Sequence, residues 1–319
     1  MSTKLVEQGV QYPNGTIRTS GKWATRAFFA LGFNGVSLAS SAKINLVNNY
    51  GAISTDIAFT GTARYGLAAA GYGGDKALIG FGMSTNAVST TNLVSNLGVF
   101  GSDVTGVGTS RFYAAAAGYG GDKAIFGYGA DGNLTVYYSS TNLVSNIGVV
   151  ATDTTGVGTA RRGLAAAGYG GDKAIFGYGL YSTSPFSLNL TNLVSNTGVV
   201  GTDVSGVGSA RMYLAAAGYG GDRAIFGFGT LNVSTGVGLT NLVSNTGVVA
   251  TDTTGVGTGR FYLSAAGYGG DKAIFGYGYD STFGYRFVSN LVSNTGVVAT
   301  DITGVGTSRA YTAAASYSS

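Results

Sequence analysis

Residues 111–129 read RFYAAAAGYGGDKAIFGYG: an apolar run rich in alanine, a Gly-Gly-Asp turn, and a second apolar run that ends in glycine. Alternating small, aromatic and β-branched residues on either side of such a turn describe two antiparallel strands, because adjacent glycines supply the positive φ angles of a tight hairpin. The stretch recurs along the chain almost word for word. Its leading arginine returns at Arg64, Arg111, Arg161, Arg211, Arg260 and Arg309, with gaps of 47, 50, 50, 49 and 49 residues. A period of this length is the mark of a repeat architecture.

Reading outward, each unit continues into TNLVSN and GVVATD, two further short apolar runs, so a unit is expected to hold four strands. A weaker copy, RAFFALGFNGVSLASSAKINLVNNYGAISTD, starts at Arg26 and is trimmed to 38 residues. Units therefore start at 26, 64, 111, 161, 211 and 260 within a single domain spanning 1–319. The leftover ends complement each other: residues 1–25 resemble the later strands of a unit and residues 309–319 resemble a first strand. Joined, they would make one more unit that hides the sheet edges.

KAIFGYG at Lys123–Gly129, NLVSNTGVVATD at Asn241–Asp252 and GTAR at Gly158–Arg161 resemble the kelch repeat, a four-stranded propeller blade with a glycine pair closing its second strand. Two features depart from it. The paired glycines have become Gly-Tyr-Gly, and the outer-strand tryptophan is missing, since the single Trp23 lies near the N-terminus. The resemblance implies an all-β, closed β-propeller of four-stranded antiparallel blades. Seven blades are expected, with 1–25 and 309–319 sharing the closing one; six is the alternative.

Composition narrows the function. Glycine supplies 56 residues and proline 2, which suits turns rather than collagen or a proline-rich tract, and charged residues make up only 10% of the chain against roughly 25% in soluble domains. So uncharged a surface suits life within an assembly. There is no histidine and no cysteine, so the commonest general base, metal ligand and thiol nucleophile are absent. Six of the 14 acidic residues recur at the TD position (Asp56, Asp103, Asp153, Asp203, Asp252, Asp301) and five in the GGD turn. Repeated positions have near-equivalent surroundings, whereas an acid–base pair needs two different ones. The chain is expected to be no enzyme and to use no cofactor and no metal. Calcium-binding β-rolls also carry Gly-Asp turns, but about every nine residues. TGVGTAR lacks the Lys-Ser/Thr ending of a phosphate loop.

No apolar stretch reaches the ~18 residues of a membrane helix, and MSTKLVEQGV lacks the core of a signal peptide, so membrane insertion and standard export are not expected. The net charge of +4 sits in residues 1–50, where Lys4, Arg18, Lys22, Arg26 and Lys43 face only Glu7. That stretch is a candidate attachment side. Nucleic acid is not the expected partner, because a basic groove with interleaved aromatics is lacking.

The repeat wording also resembles glycine-rich repeat proteins of bacteriophage virions, which implies a tail, baseplate, fibre or capsid-attached component. Its partners would be other virion or assembly proteins, or a host surface glycan or receptor; cytoplasm or cell surface is the alternative location. A carbohydrate-binding propeller, or lectin, is the competing function. Recognition is expected on the loops between second and third strands, where the units diverge. Tyr137, Tyr138, Tyr181, Phe186, Tyr279, Phe283, Tyr285, Arg286 and Phe287 stand there, of the residue types that anchor interfaces and stack on sugars. The invariant spacing from Asp56, Asp103, Asp153, Asp203, Asp252 and Asp301 to the arginine eight residues on suggests that these charges satisfy one another or nearby backbone.

Overall fold

The computed structural model describes residues 4–6, 9–11 and 17–18 as strand backbone, and residues 25–35, 39–182, 186–232 and 234–318 with their side chains. The described residues form strands and turns without a helix, and hence without any helix able to cross a membrane. Five antiparallel sheets share one build. In the first, an inner strand Ala68–Tyr72 turns through Gly-Gly-Asp into Lys76–Gly80, which pairs with a third strand, Thr91–Val94. The inner strands of the next four are Ala115–Tyr119, Ala165–Tyr169, Ala215–Tyr219 and Ser264–Tyr268. Small sheets of this kind are consistent with propeller blades.

The sixth sheet is assembled from both parts of the chain. Its inner strand is Ala313–Ser318, its second Thr25–Ala30 and its third Lys43–Val47, with Ile57–Ala58 outermost. Among the described residues the C-terminal strand pairs with Thr25–Ala30 and not with the earlier segments of the closing unit expected from 1–25 and 309–319; Lys4–Val6, Gly9–Gln11 and Ile17–Arg18 pair with one another. The reason is a misaligned register. RAFFALG at Arg26 corresponds to the second-strand KAIFGYG, so Tyr317 faces Arg26 as Tyr119 faces Lys123. The unit at Arg26 therefore has no inner strand of its own and takes the C-terminal one. Six sheets of repeat type stand among the described residues.

The expected fourth strand is mostly reduced to isolated bridges, such as Thr141 with Thr154 and Val144 with Val150. Between them the side-chain amide of Asn142 donates to the carbonyl of Ala151 at 3.0 Å, taking a ladder position that backbone would otherwise fill.

Inner strands lie against one another, each next to the inner strand of the following sheet, and Ala313–Ser318 lies between Ser264–Tyr268 and Ala68–Tyr72. The approach is backbone to backbone, which explains the small residues: a Cβ at Gly118 would stand 3.3 Å from the carbonyl oxygen of Gly71. Two hoops of backbone hydrogen bonds tie the strand ends. At the turn end, Gly73, Gly120, Gly170, Gly220, Gly269 and Ser318 donate to Asp122, Asp172, Asp222, Asp271, Thr25 and Asp75 at 2.7–3.0 Å. At the other end Gly66, Tyr113, Gly163, Tyr213, Tyr262 and Tyr311 each bond the next of their own number, over the same range. Both hoops return to where they start.

Between sheets the packing is aromatic. Tyr128 and its counterparts Phe81, Tyr178, Phe228 and Tyr277 adopt positive φ of 61–65°, unusual for large side chains. The strain places each ring inside the junction: Tyr128 is fully buried and meets Phe176 edge-on at 5.1 Å. Here the Gly-Tyr-Gly departure from the kelch pair acquires its reason, since the middle residue fills the gap between sheets.

Removal of residues 309–319 takes away the inner strand of the sixth sheet together with one member of each hoop. The truncated protein should lose the parent's single thermal transition. An unchanged midpoint in a melting scan would show that the C-terminal strand does not close the structure.

Candidate functional site

Every connection between sheets carries a fully buried arginine, at Arg64, Arg111, Arg161, Arg211, Arg260 and Arg309. A buried guanidinium is costly unless paired and hydrogen-bonded. Each one reaches the asparagine of its own third strand: Arg161 Nη2 donates to Asn192 Oδ1 at 2.7 Å and Arg260 Nη2 to Asn290 Oδ1 at 2.6 Å. The asparagine amide passes the interaction on to the TD aspartate, as from Asn192 Nδ2 to Asp203 Oδ1 at 2.9 Å. Arginine and aspartate also pair directly, at 3.3 Å for Arg111 with Asp153, 3.2 Å for Arg211 with Asp252 and 3.6 Å for Arg309 with Asp56. Looser pairs join Arg64 to Asp103, Arg161 to Asp203 and Arg260 to Asp301. The ion-pair partner is thus the aspartate that closes the arginine's own sheet, not the one eight residues before it.

The second oxygen of that carboxylate accepts from the Thr or Ser two residues before the arginine, as from Thr159 Oγ1 to Asp203 at 2.6 Å and Ser209 Oγ to Asp252 at 2.7 Å. Burial opposes ionisation of these aspartates. Hydrogen bonds from Thr or Ser and from Asn, with the nearby arginine charge, outweigh it and hold all six below the ordinary value of 3.8. Burial likewise pulls Arg64 and Arg260 down to about 10, which leaves them cationic at neutral pH.

Each arginine also faces the preceding sheet. Arg161 lies over the Tyr128 ring at 4.3 Å, and its carbonyl accepts from Gly129 N–H at 2.9 Å. The network is mortar between neighbouring sheets. Asn45, Asn92, Asn142, Asn192, Asn241 and Asn290, its hinge, escaped the sequence reading. Their signal was an asparagine at a fixed place in an otherwise apolar strand.

A second cluster stands at the opposite end from the Gly-Gly-Asp turns, where connections and variable loops emerge together. Tyr113, Tyr213, Tyr262 and Tyr311 follow the buried arginines and crowd the axis, with Tyr262 and Tyr311 centroids 3.9 Å apart and Tyr113 stacked on Tyr262 at 6.2 Å. Burial raises the phenol of Tyr113 well above its ordinary value and brings Tyr311 up to about 12. Arg162 completes the cluster: its guanidinium is 5.3, 5.7 and 5.5 Å from the rings of Tyr113, Tyr137 and Tyr213. It donates to the hydroxyls of Tyr137, at 3.3 Å, and Tyr213. Only in that unit does Arg-Arg-Gly replace wording such as Arg-Phe-Tyr, a signal the sequence reading passed over.

The nine loop residues divide. Tyr137, Tyr279 and Tyr285 are half-buried extensions of the aromatic cluster: Tyr279 packs on Phe261 at 5.5 Å and Tyr285 on Phe33 at 6.1 Å. Tyr138 is half-buried, and its carbonyl accepts from Arg161 N–H at 3.3 Å. Phe186 and Phe283 stand out, 58% and 69% exposed, with Tyr181 and Phe287 less so. Arg286 stacks on Phe283 at 5.1 Å. Of the candidate attachment charges, Lys22 lies outside the described residues, and Lys4 and Arg18 are described only as strand backbone.

No protein-family model and no curated protein sequence matches the chain. Among solved structures, one titled "Structure of YjhT" superposes with a TM-score of 0.64 over 81% of this chain and 90% of that one, at 12% sequence identity. The fold is a β-propeller. At that identity the likeness concerns the propeller fold alone, and the six-times-repeated arginine network is where this chain's own residues hold its sheets together.

Two outcomes follow for the network. Replacement Asn142→Leu leaves Arg111 Nη2 and Asp153 Oδ1 without their shared partner; it should cost about 3 kcal/mol in urea unfolding, the scale of lost hydrogen bonds to charged groups. A cost below about 0.5 kcal/mol would deny the asparagine its role. The aspartates bind protons less readily folded than unfolded, so their contribution is complete above their ordinary value of 3.8 and is lost as pH falls through the lower folded values. Stability should drop steeply below that point, and less steeply in Asp252→Asn; equal slopes in pH-dependent unfolding would refute the linkage.

Proposed function

We propose that this chain is a non-enzymatic interaction protein, a closed six-bladed propeller that binds a partner through its loop face. One observation carries the reading: duplicated units stay nearly identical in the body of the propeller and diverge on one face. Just beneath that face, at the position after the buried arginine, the six units hold Tyr65, Phe112, Arg162, Met212, Phe261 and Ala310, of which Phe112, Met212, Phe261 and Ala310 are buried and shape the loops from below. The second-to-third strand loops on the same face diverge as well, and they present Phe186, Phe283 and Arg286 on a rigid support. Loops held by a rigid scaffold are the usual seat of binding.

The absence of histidine and cysteine, and the placing of six aspartates in the arginine network, support a role without catalysis. The cyclic order of inner strands and the two hoops support closure with six blades. A bacteriophage virion is the setting that the repeat wording favours, with another virion protein as partner. Solvent-facing aromatic rings beside an arginine favour a second reading, a lectin, because such rings also stack on sugars.

Mass spectrometry of purified virions and a glycan array separate the two. Whichever yields a partner, the triple variant Tyr181→Ser, Phe186→Ser, Phe283→Ser should weaken its binding about tenfold or more with the melting midpoint unchanged. Undiminished binding by the folded variant would move recognition away from this face.

A further inference from the structure

The face opposite the loops holds a cavity of about 490 Å³, within the range of roughly 300–1,000 Å³ common to small-ligand pockets. It is a funnel on the propeller axis. Its wall is made of inner-strand glycines, Gly71, Gly118, Gly168, Gly218 and Gly267, with Ser316 in the sixth place. At the far end the axis is filled by Tyr113, Tyr213, Tyr262 and Tyr311, around a separate void of only about 80 Å³. A ligand would therefore enter and leave by the Gly-Gly-Asp mouth.

Charge at that mouth is sorted. The cavity is lined by Lys76, Lys123, Lys173, Arg223 and Lys272, but of the five turn aspartates only Asp222 lines it. Each lysine touches the aspartate before it, at 2.7–3.2 Å. Asparagines on the next hairpin hold the other carboxylate oxygen in three units, as Asn196 holds Asp172 at 3.1 Å and Asn294 holds Asp271 at 3.2 Å. The sixth sheet sharpens the pattern. Its wording has drifted furthest, yet Arg26 keeps a cation at the register position of the lysines, while Thr25 replaces the aspartate.

We propose that this funnel is a binding site for a compact ligand carrying several oxyanion groups, of the oligophosphate class. The lysine–aspartate pairs are solvent-accessible, and exposed pairs contribute only about 0–1 kcal/mol. A multivalent anion on the axis meets cations from five sheets at once, whereas each aspartate holds one. Glycine walls let such a ligand approach the backbone closely.

Isothermal titration of the full chain with inorganic tripolyphosphate, at low and at physiological salt, tests the site, with inorganic phosphate as the monomeric comparison. Saturable binding of tripolyphosphate is expected, tighter than that of phosphate and weaker at higher salt. Lys123→Gln/Lys173→Gln should weaken it about tenfold or more, while Lys43→Gln, which removes one charge away from the cavity, should change it less than about twofold. Should the first double variant melt early, Lys76→Gln/Lys272→Gln carries the same test. No saturable binding overturns the proposal, as does a Lys43→Gln variant weakened as much per charge as the funnel variants.

Discussion

A guanidinium that has no access to water dictates how this propeller is put together. Burying an arginine in each blade junction is unfavourable unless its planar donors and its charge are met, and one junction can meet them only from two sheets at once. The asparagine and aspartate come from the arginine's own sheet, and the ring beneath it and the glycine N–H on its carbonyl come from the sheet before. A sheet out of place would strand the charge. The polar part of the device is set six times and the ring five times, Leu31 standing in its place before Arg64; Arg309 reaches back to Asn45 and Asp56, so the junction of the two chain ends uses the same chemistry as the others.

Small residues on the axis follow from the junctions. With aromatic rings wedged between sheets farther out, inner strands converge until backbone meets backbone, and small residues, glycine, alanine and serine, face the axis and its neighbours. Converging strands must end differently at the two faces. Where the chain turns back on itself, glycine pairs make a low rim and leave the axis open as a funnel. Where connections arrive, the hoop positions at positive φ throw four tyrosine side chains across the axis and block it. The propeller is thus open at one end and plugged at the other by local backbone geometry.

Much of this was legible in the residues. Period, hairpin, strand order and the recurrent arginine and aspartate can be read directly, because each is a local pattern copied several times. Three things were not. The register of Arg26 was misread because an apolar run with a leading arginine describes either an inner or a second strand, and only the pairing of Tyr317 with Arg26 separates them. The network asparagines were passed over because a single polar residue in a strand has no local signature of burial. Arg162 was hidden beside Arg161, since adjacent arginines look alike in sequence although one enters the junction and the other the tyrosine cluster.

The two faces also differ in how they treat symmetry, and that difference bears on what each can do. At the funnel mouth, five units present the same glycine pair and a cation, and the sixth keeps the cation. A site built from equivalent positions addresses a ligand on the axis and gains from each unit in the same way. On the loop face, equivalence is lost in every variable loop, and beneath them at the largely buried position after each arginine, so a partner there meets one arrangement of rings and charge in one orientation. Symmetric repetition limits what a surface can discriminate, and divergence lifts that limit. On this argument the proposed partner belongs at the plugged end of the propeller, and the proposed polyanion at the open end.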